Sequence, residues 1–225
     1  MRRILASYLT AETFDSAALS GTAVVSHPLP KSGEWHALLT LGRSPLPVQN
    51  VLVLPDGGAA MVAIEPGAEA GQRLRAGGHV RLRAPDQSAG FAAQLRHASR
   101  ETAAWNSKRL EEGDYFACLP LRPGRYRLVN RLSDSLAAVV VHYPDPRKQR
   151  KPEQLSAPVE VRAGATFDPA RLELFPGQPL IVAIAAPAHL VLTLESADDG
   201  PEDLAAWRQR SDADALNALG RKKHR

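Results

Sequence analysis

Residues 119–129 have the sequence LPLRPGRYRLV, and residues 172–182 have the sequence LELFPGQPLIV. In each segment two alternating leucines are followed by a Pro-Gly pair and then by a second apolar run. Alternation of this kind indicates a strand with one buried face, and Pro-Gly favours a type II turn. The second segment lies 53 residues after the first, since Pro176 corresponds to Pro123. The pattern predicts a strand–turn–strand unit that occurs twice in a mainly β protein.

Short apolar runs between turn signals predict further strands along the chain. Pro55–Gly58 is a strong turn signal, so we expect the runs on either side of it, 48–54 and 59–64, to form a hairpin. The predicted strands are 4–11, 22–26, 35–41, 48–54, 59–64, 79–83, 115–121, 125–129, 136–143, 159–162, 172–175, 180–185 and 190–194.

Residues 121–129 resemble the turn and penultimate strand of immunoglobulin-like and cupredoxin-like sandwiches. Residues 167–177 resemble an early strand pair of the same folds. The resemblance implies antiparallel β-sandwich architecture and carries no function with it. A cupredoxin copper site would need a thiolate, two imidazoles and usually a thioether. The corresponding loop, 130–135, contains none of these groups, so no copper site is predicted there.

Residues 91–109 have a different periodicity. Their apolar positions recur at steps of three and four residues between Gly90 and Gly113, which predicts an inserted helix over about 91–109. The positions that carry this pattern are Phe91, Leu95, Ala98, Thr102 and Trp105.

A C-terminal helix is predicted over about 201–219. Pro201 suits the first turn of a helix, the acidic residues after it favour its positive end, and Gly220 suits its termination. Its apolar stripe includes Leu204, Trp207 and Leu219.

The segment Pro144–Pro152 contains three prolines and four cations but no large apolar residue, which is typical of a boundary between domains. We therefore predict two small antiparallel β-sandwich domains, immunoglobulin-like or cupredoxin-like. The first covers 1–143 and contains the inserted helix. A proline-rich basic linker covers 144–158, and a smaller β-domain with the C-terminal helix and a basic tail covers 159–225.

Composition narrows the class of protein. Hydrophobic residues make up 44% of the 225 residues, enough for a core that needs no disulfide or metal. The single cysteine, Cys118, excludes an intramolecular disulfide and is expected to be a buried small hydrophobe. No apolar run is long enough to predict a membrane span. The segment after Met1–Arg3 is too short and polar for a signal peptide, so we expect a cytoplasmic chain, or an exported one whose signal has been removed.

Motifs for catalysis are not found. The sequence has no Gly-x-Ser-x-Gly elbow, no phosphate-binding glycine loop and no pair of histidines at close metal-ligand spacing. We therefore predict a non-enzymatic protein with no catalytic residue, no cofactor and no metal ligand.

The leading functional hypothesis is a non-catalytic subunit or adaptor of a larger assembly, whose partners are other protein subunits. One alternative is an exported cupredoxin-like or immunoglobulin-like protein that binds a metal or small ligand. A second is an accessory protein that binds nucleic acid or another anionic surface through the basic runs 147–151 and 221–225. The predicted partner-binding residues are Leu204, Trp207, Leu219, Arg221, Lys222, Lys223 and Arg225.

Overall fold

The computed structural model describes residues 11–67, 71–84, 90–143 and 157–198, and in these ranges every regular element is a strand. The fold is mainly β, as predicted. The strands are β1 Thr13–Asp15, β2 Val24–Leu29, β3 Gly33–Leu41, β4 Ser44–Pro45, β5 Gln49–Leu54, β6 Ala59–Ile64, β7 Gln72–Arg83, β8 Phe91–His97, β9 Trp105–Asn106, β10 Tyr115–Cys118, β11 Gly124–Asn130, β12 Ser135–Val141, β13 Val159–Ala163, β14 Phe167–Asp168, β15 Arg171–Leu174, β16 Leu180–Ile184 and β17 Leu190–Ala197.

The strands form two sheets that share one core. The five-stranded sheet has the order β1-β17-β11-β12-β15. The twelve-stranded sheet has the order β14-β13-β16-β10-β2-β7-β5-β3-β8-β9, with β4 beside β3 and β6 beside β7. Buried apolar residues from both sheets belong to a single hydrophobic cluster, which includes Phe14, Phe116 and Tyr126. Both sheets therefore contribute side chains to one continuous core.

The predicted strands from 22–26 onward are confirmed, with shifts at the ends. The strand predicted at 4–11 lies outside the described residues except for its last position. The alternation that predicted them is visible in β5, where Val51 and Val53 are buried and Asn50 and Leu52 are exposed. The largest shift is in β7, which begins at Gln72 rather than at His79. Alternation therefore located the strands better than it located their ends.

The predicted helix at 91–109 is wrong. This segment forms β8 and β9, and β8 pairs with β3 along its whole length. Phe91 and Leu95 lie four residues apart, a spacing that places two side chains on one face in a strand as well as in a helix. The next positions of the proposed stripe, Ala98 and Thr102, are exposed. Ala93, Leu95 and His97 are buried while Gln94 and Arg96 are not, which is the two-residue period of a strand.

The predicted hairpin of β5 and β6 is also wrong in its pairing. β5 is parallel to the first half of β7, and β6 is parallel mainly to the second half. The chain does turn at Pro55–Gly58, but β6 forms its ladder with β7 and not with β5. A local turn signal predicted the change of direction and could not predict the pairing partner.

β7 bends sharply between its two halves. The Gln72 side-chain amide donates to the carbonyl oxygen of Ala63 at 2.6 Å, while Ala63 is in register with Arg81. Nine residues of straight strand would separate Gln72 from Arg81 by about 30 Å. The strand therefore turns back near Gly77, whose φ of 74° is a left-handed conformation that glycine adopts readily.

Strands on either side of the predicted linker pair with each other. β16 pairs with β10, β17 pairs with β11 and β1, and β15 pairs in parallel with β12. The sheets thus do not divide at the linker. Residues 144–156 lie outside the described residues, as does the predicted C-terminal helix at 201–219. The division into domains at the linker stays a prediction.

The two Pro-Gly segments carry the chain from one sheet to the other. The first joins β10 of the twelve-stranded sheet to β11 of the five-stranded sheet, and the second joins β15 to β16 in the reverse direction. At the second, Gly177 has a φ of 81° and the Gln178 amide donates to Phe175 O at 2.9 Å, which confirms a type II turn. Gly124 differs, since it begins β11 with a φ of 150°.

Gly124→Ala tests the close approach of β11 and β17. A Cβ on Gly124 would overlap the backbone carbonyl oxygen of Ser196 and lie 3.0 Å from the Cα of Ala197. Backbone cannot move aside as a side chain can, so we expect a loss of about 1–3 kcal/mol in the free energy of unfolding. Gly164→Ala is the control, because its Cβ would meet nothing nearer than 3.8 Å. Urea unfolding of both variants gives the comparison, and equal stabilities would contradict it.

Tyr126 connects β11 to the chain that precedes it. Its side chain is buried, and its hydroxyl donates to the carbonyl oxygen of Arg122 at 2.8 Å. Burial raises the pKa of Tyr126 to about 12, because the phenolate would lose its hydration. The neighbouring Arg122 opposes this rise in pKa.

The raised pKa predicts a loss of stability at high pH that depends on Tyr126. A phenol whose folded pKa exceeds its unfolded value contributes its full stability below about pH 10 and loses it as the pH approaches 12, by up to about 1.4 kcal/mol per pH unit. Tyr126→Phe should remove this slope in urea unfolding between these pH values. Tyr115→Phe, at an exposed tyrosine, is the control and should keep the parental slope. Both variants retain Cys118, so its titration cancels in the comparison.

Candidate functional site

A fully buried carboxylate, that of Asp114, accepts three hydrogen bonds. Its donors are His27 Nδ1 at 2.6 Å, Trp105 Nε1 at 2.8 Å and the backbone amide of Glu111 at 2.8 Å. The His27 ring also stacks on the indole of Trp105, with 4.5 Å between the ring centroids. Because a carboxylate only accepts, Nδ1 of His27 carries the hydrogen in this contact.

An imidazole oriented by a buried carboxylate is the arrangement that positions a general base in many enzymes. Such a base also needs a nucleophile or a water-binding partner at its other nitrogen. Among the described residues, His27 makes no hydrogen bond besides the one to Asp114. The cluster of His27, Trp105 and Asp114 connects β2, β9 and the turn before β10. We therefore assign it a structural role.

The other described histidines also have hydrogen-bond partners. The described part of the chain contains no group of three or more His, Cys, Asp or Glu side chains that could hold a metal ion. The pairs are His36 with Asn50, His79 with Ser26, His97 with Ser99 and with the carbonyl oxygen of Ser32, His142 with Glu173, and His189 with Asp15.

Cys118 is buried in β10, which confirms the prediction made from its strand position. Burial raises the pKa of its thiol well above the ordinary value, because the thiolate would be desolvated. The thiol therefore stays protonated and behaves as a small apolar side chain.

An open cavity of about 450 Å³ lies at the ends of β13 and β16. Three carboxylates, those of Glu112, Glu160 and Asp168, line it together with the guanidinium of Arg162. Ala183 of β16 forms part of its wall. The lining is therefore predominantly acidic.

The solvent side of β14, β13, β16, β10, β2, the second half of β7 and β6, which we call the outer face, begins at this cavity. It is acidic at β13 and β14, uncharged at β16, β10 and β2, and basic at β7. Cross-strand register defines two rows of side chains on it. The first row is Asp168, Arg162, Ala183, Tyr115, Ser26 and Arg81, and the second is Glu160, Ile181, Ala117, Val24 and Arg83.

Large apolar side chains are exposed on the same outer face. Tyr115 is 43% exposed and Met61 is 50% exposed, whereas the exposed Leu52 lies beside the first half of β7, beyond its bend. Met61 is in register with His79, whose ring contacts Tyr115, and Arg81 lies two residues after His79 on the same side of β7. Apolar and basic side chains are therefore interleaved on this face.

The structure does not test the partner-binding residues predicted from the sequence. All seven, Leu204, Trp207, Leu219, Arg221, Lys222, Lys223 and Arg225, lie outside the described residues, and so do the basic runs 147–151 and 221–225. Sequence reasoning missed the outer face, because its side chains come from strands that are distant in the chain and meet only through register.

No family model, curated protein or solved structure matches this chain. A helix of the length and apolarity needed to cross a membrane is not found in the described residues.

Asp114→Asn tests the structural role of the buried cluster. The amide would remove the negative charge and place a donor where only donors converge, so we expect a loss of about 2–4 kcal/mol in the free energy of unfolding. Asp134→Asn is the control, because Asp134 is exposed with a φ of 53°, a conformation that asparagine tolerates. Urea unfolding followed by circular dichroism measures both, and a loss at Asp114 no larger than at Asp134 would contradict the role.

Proposed function

We propose that this protein is a non-catalytic β-sandwich subunit or adaptor of a larger protein assembly, and that its outer face is a contact surface. The observation that carries the proposal is that exposed Tyr115 and Met61 lie next to Arg81 and Arg83 on this face. Tyrosine, methionine and arginine are enriched at protein interfaces, whereas lysine is depleted there.

The arginines of β7 are available for a partner. Arg81 is exposed and has no ion-pair partner among the described residues, and Arg83 is exposed with Glu65 3.5 Å away. A guanidinium can bind a carboxylate through two parallel hydrogen bonds, which adds geometric specificity to the contact. Arginines beside exposed apolar side chains therefore favour a protein partner with carboxylates at its surface.

The specific architecture that we propose is a β-sandwich related to immunoglobulin-like or cupredoxin-like domains. It is supported by the single core that the two sheets share and by the Tyr126 hydroxyl bond to Arg122 O. A tyrosine that bonds to the backbone a few residues upstream is a recurrent feature of immunoglobulin-like sandwiches. The predicted C-terminal stripe of Leu204, Trp207 and Leu219 is proposed as a second contact.

The test is an affinity experiment in the cells from which the chain derives, with quantitative mass spectrometry of the bound proteins. The bait Met61→Ser should lose specific partners at least tenfold relative to the parent, since removing an interface anchor costs about 1–3 kcal/mol. A second bait that lacks residues 200–225 tests the predicted C-terminal contact.

Leu136→Ser is the matched control bait. Leu136 is 57% exposed but lies on the five-stranded sheet, so its substitution should leave the partners unchanged. Equal recovery of every protein by all four baits would contradict the proposal. A stoichiometric transition metal in the purified protein would favour the ligand-binding alternative, and salt-sensitive binding to oligonucleotides would favour the nucleic-acid alternative.

A further inference from the structure

The outer face carries opposite charges at its two ends. At β13 and β14, three carboxylates and one guanidinium surround the cavity, and the cation, Arg162, is in register with Asp168. At β7, Arg81 and Arg83 project from the face, and Glu65 lies 3.5 Å from Arg83. One end is therefore net negative and the other net positive.

β10 lies midway between the two ends. It is separated from β13 by β16 and from β7 by β2, so each end is about 10 Å from β10 at the usual strand spacing. The intervening side chains are small or uncharged, as with Ala117, Ala183 and Val24. The face thus has an uncharged centre with charged flanks at equal distances.

Such a face is complementary to itself. If two copies stack on it about a two-fold axis that runs along β10, β7 of each copy lies over β13 of the other. Arg83 then faces Glu160, because both belong to the second row of side chains. Arg81 then faces Arg162 of the first row, and the carboxylates of Asp168 and Glu112 beside Arg162 at the cavity offset this like-charge contact. Each contact occurs twice, as in any isologous interface.

We infer that the outer face binds a second copy of this chain and forms a two-fold symmetric dimer. The inference rests on the proposed function, since it names the partner for the same face. An acidic foreign protein or a nucleic acid would pair with Arg81 and Arg83 but would meet repulsion from Glu112, Glu160 and Asp168. A second copy places each net positive end over a net negative end, and buries Tyr115 near the axis.

Sedimentation velocity of the full chain tests the dimer. At about 100 μM protein and about 50 mM salt the chain should sediment as a dimer, and at about 500 mM salt the dimer should weaken, because exposed ion pairs are screened. A monomer at the lower salt concentration would overturn the inference. That result would leave the affinity experiment with its baits unaffected, so the two failures are distinguishable.

Charge reversal tests the face and its symmetry. Arg83→Glu and Glu160→Arg should each weaken the dimer at least tenfold, because each places like charges opposite one another twice. An equimolar mixture of the two variants should recover the parental affinity. In the mixed dimer the introduced glutamate of one variant faces the introduced arginine of the other, and the second contact is the native pair of Arg83 with Glu160. Both positions are at the surface, so the fold should be retained in each variant.

Arg171→Glu is the matched control. Arg171 is an exposed arginine on the five-stranded sheet, and its reversal should leave the dimer unchanged. A dimer that persists in both single variants, or a mixture that fails to recover affinity, would overturn the assignment of the interface to this face.

Discussion

The structure depends on backbone pairing between strands that precede residue 143 and strands that follow residue 158. The pairs are β10 with β16, β11 with β17, and β12 with β15. These ladders place late strands inside both sheets, next to strands that precede residue 143. Through them Tyr115 comes to lie beside Ala183, and the carboxylates of β13 and β14 share a surface with the arginines of β7. The outer face would not exist if the strands after 158 formed sheets of their own.

The side chain of Asp114 also connects elements that are distant from one another in the sheet. Trp105 belongs to β9, the last strand at one edge of the twelve-stranded sheet, yet its indole bonds to the turn that precedes β10 near the middle of the sheet. The sheet must therefore curve until β9 approaches β2, where His27 meets both residues. An edge strand brought against other elements in this way is less available for pairing with another chain.

Period-two alternation predicted the strands well, because one face of each strand enters the core. The sequence pattern was misleading at 91–109, because a four-residue spacing of large apolar side chains fits a strand and a helix equally well. Local patterns could not predict which residues meet in the fold. His27 and Asp114 are 87 residues apart, and nothing near either residue indicates the other. The outer face was likewise hidden, because its charge order depends on the register of β13, β16, β10, β2 and β7. Cys118 was predictable, since its alternation with Phe116 is a local feature.

The central claim is that pairing across residues 144–158 couples the strands before and after this segment. Native-state hydrogen exchange of the full chain, resolved by residue, tests it most directly. The account predicts that the paired amides of β10 and β16, and those of β11 and β17, exchange through openings with the same free energy. Two separate free energies, one for strands before residue 143 and another for strands after residue 158, would contradict it.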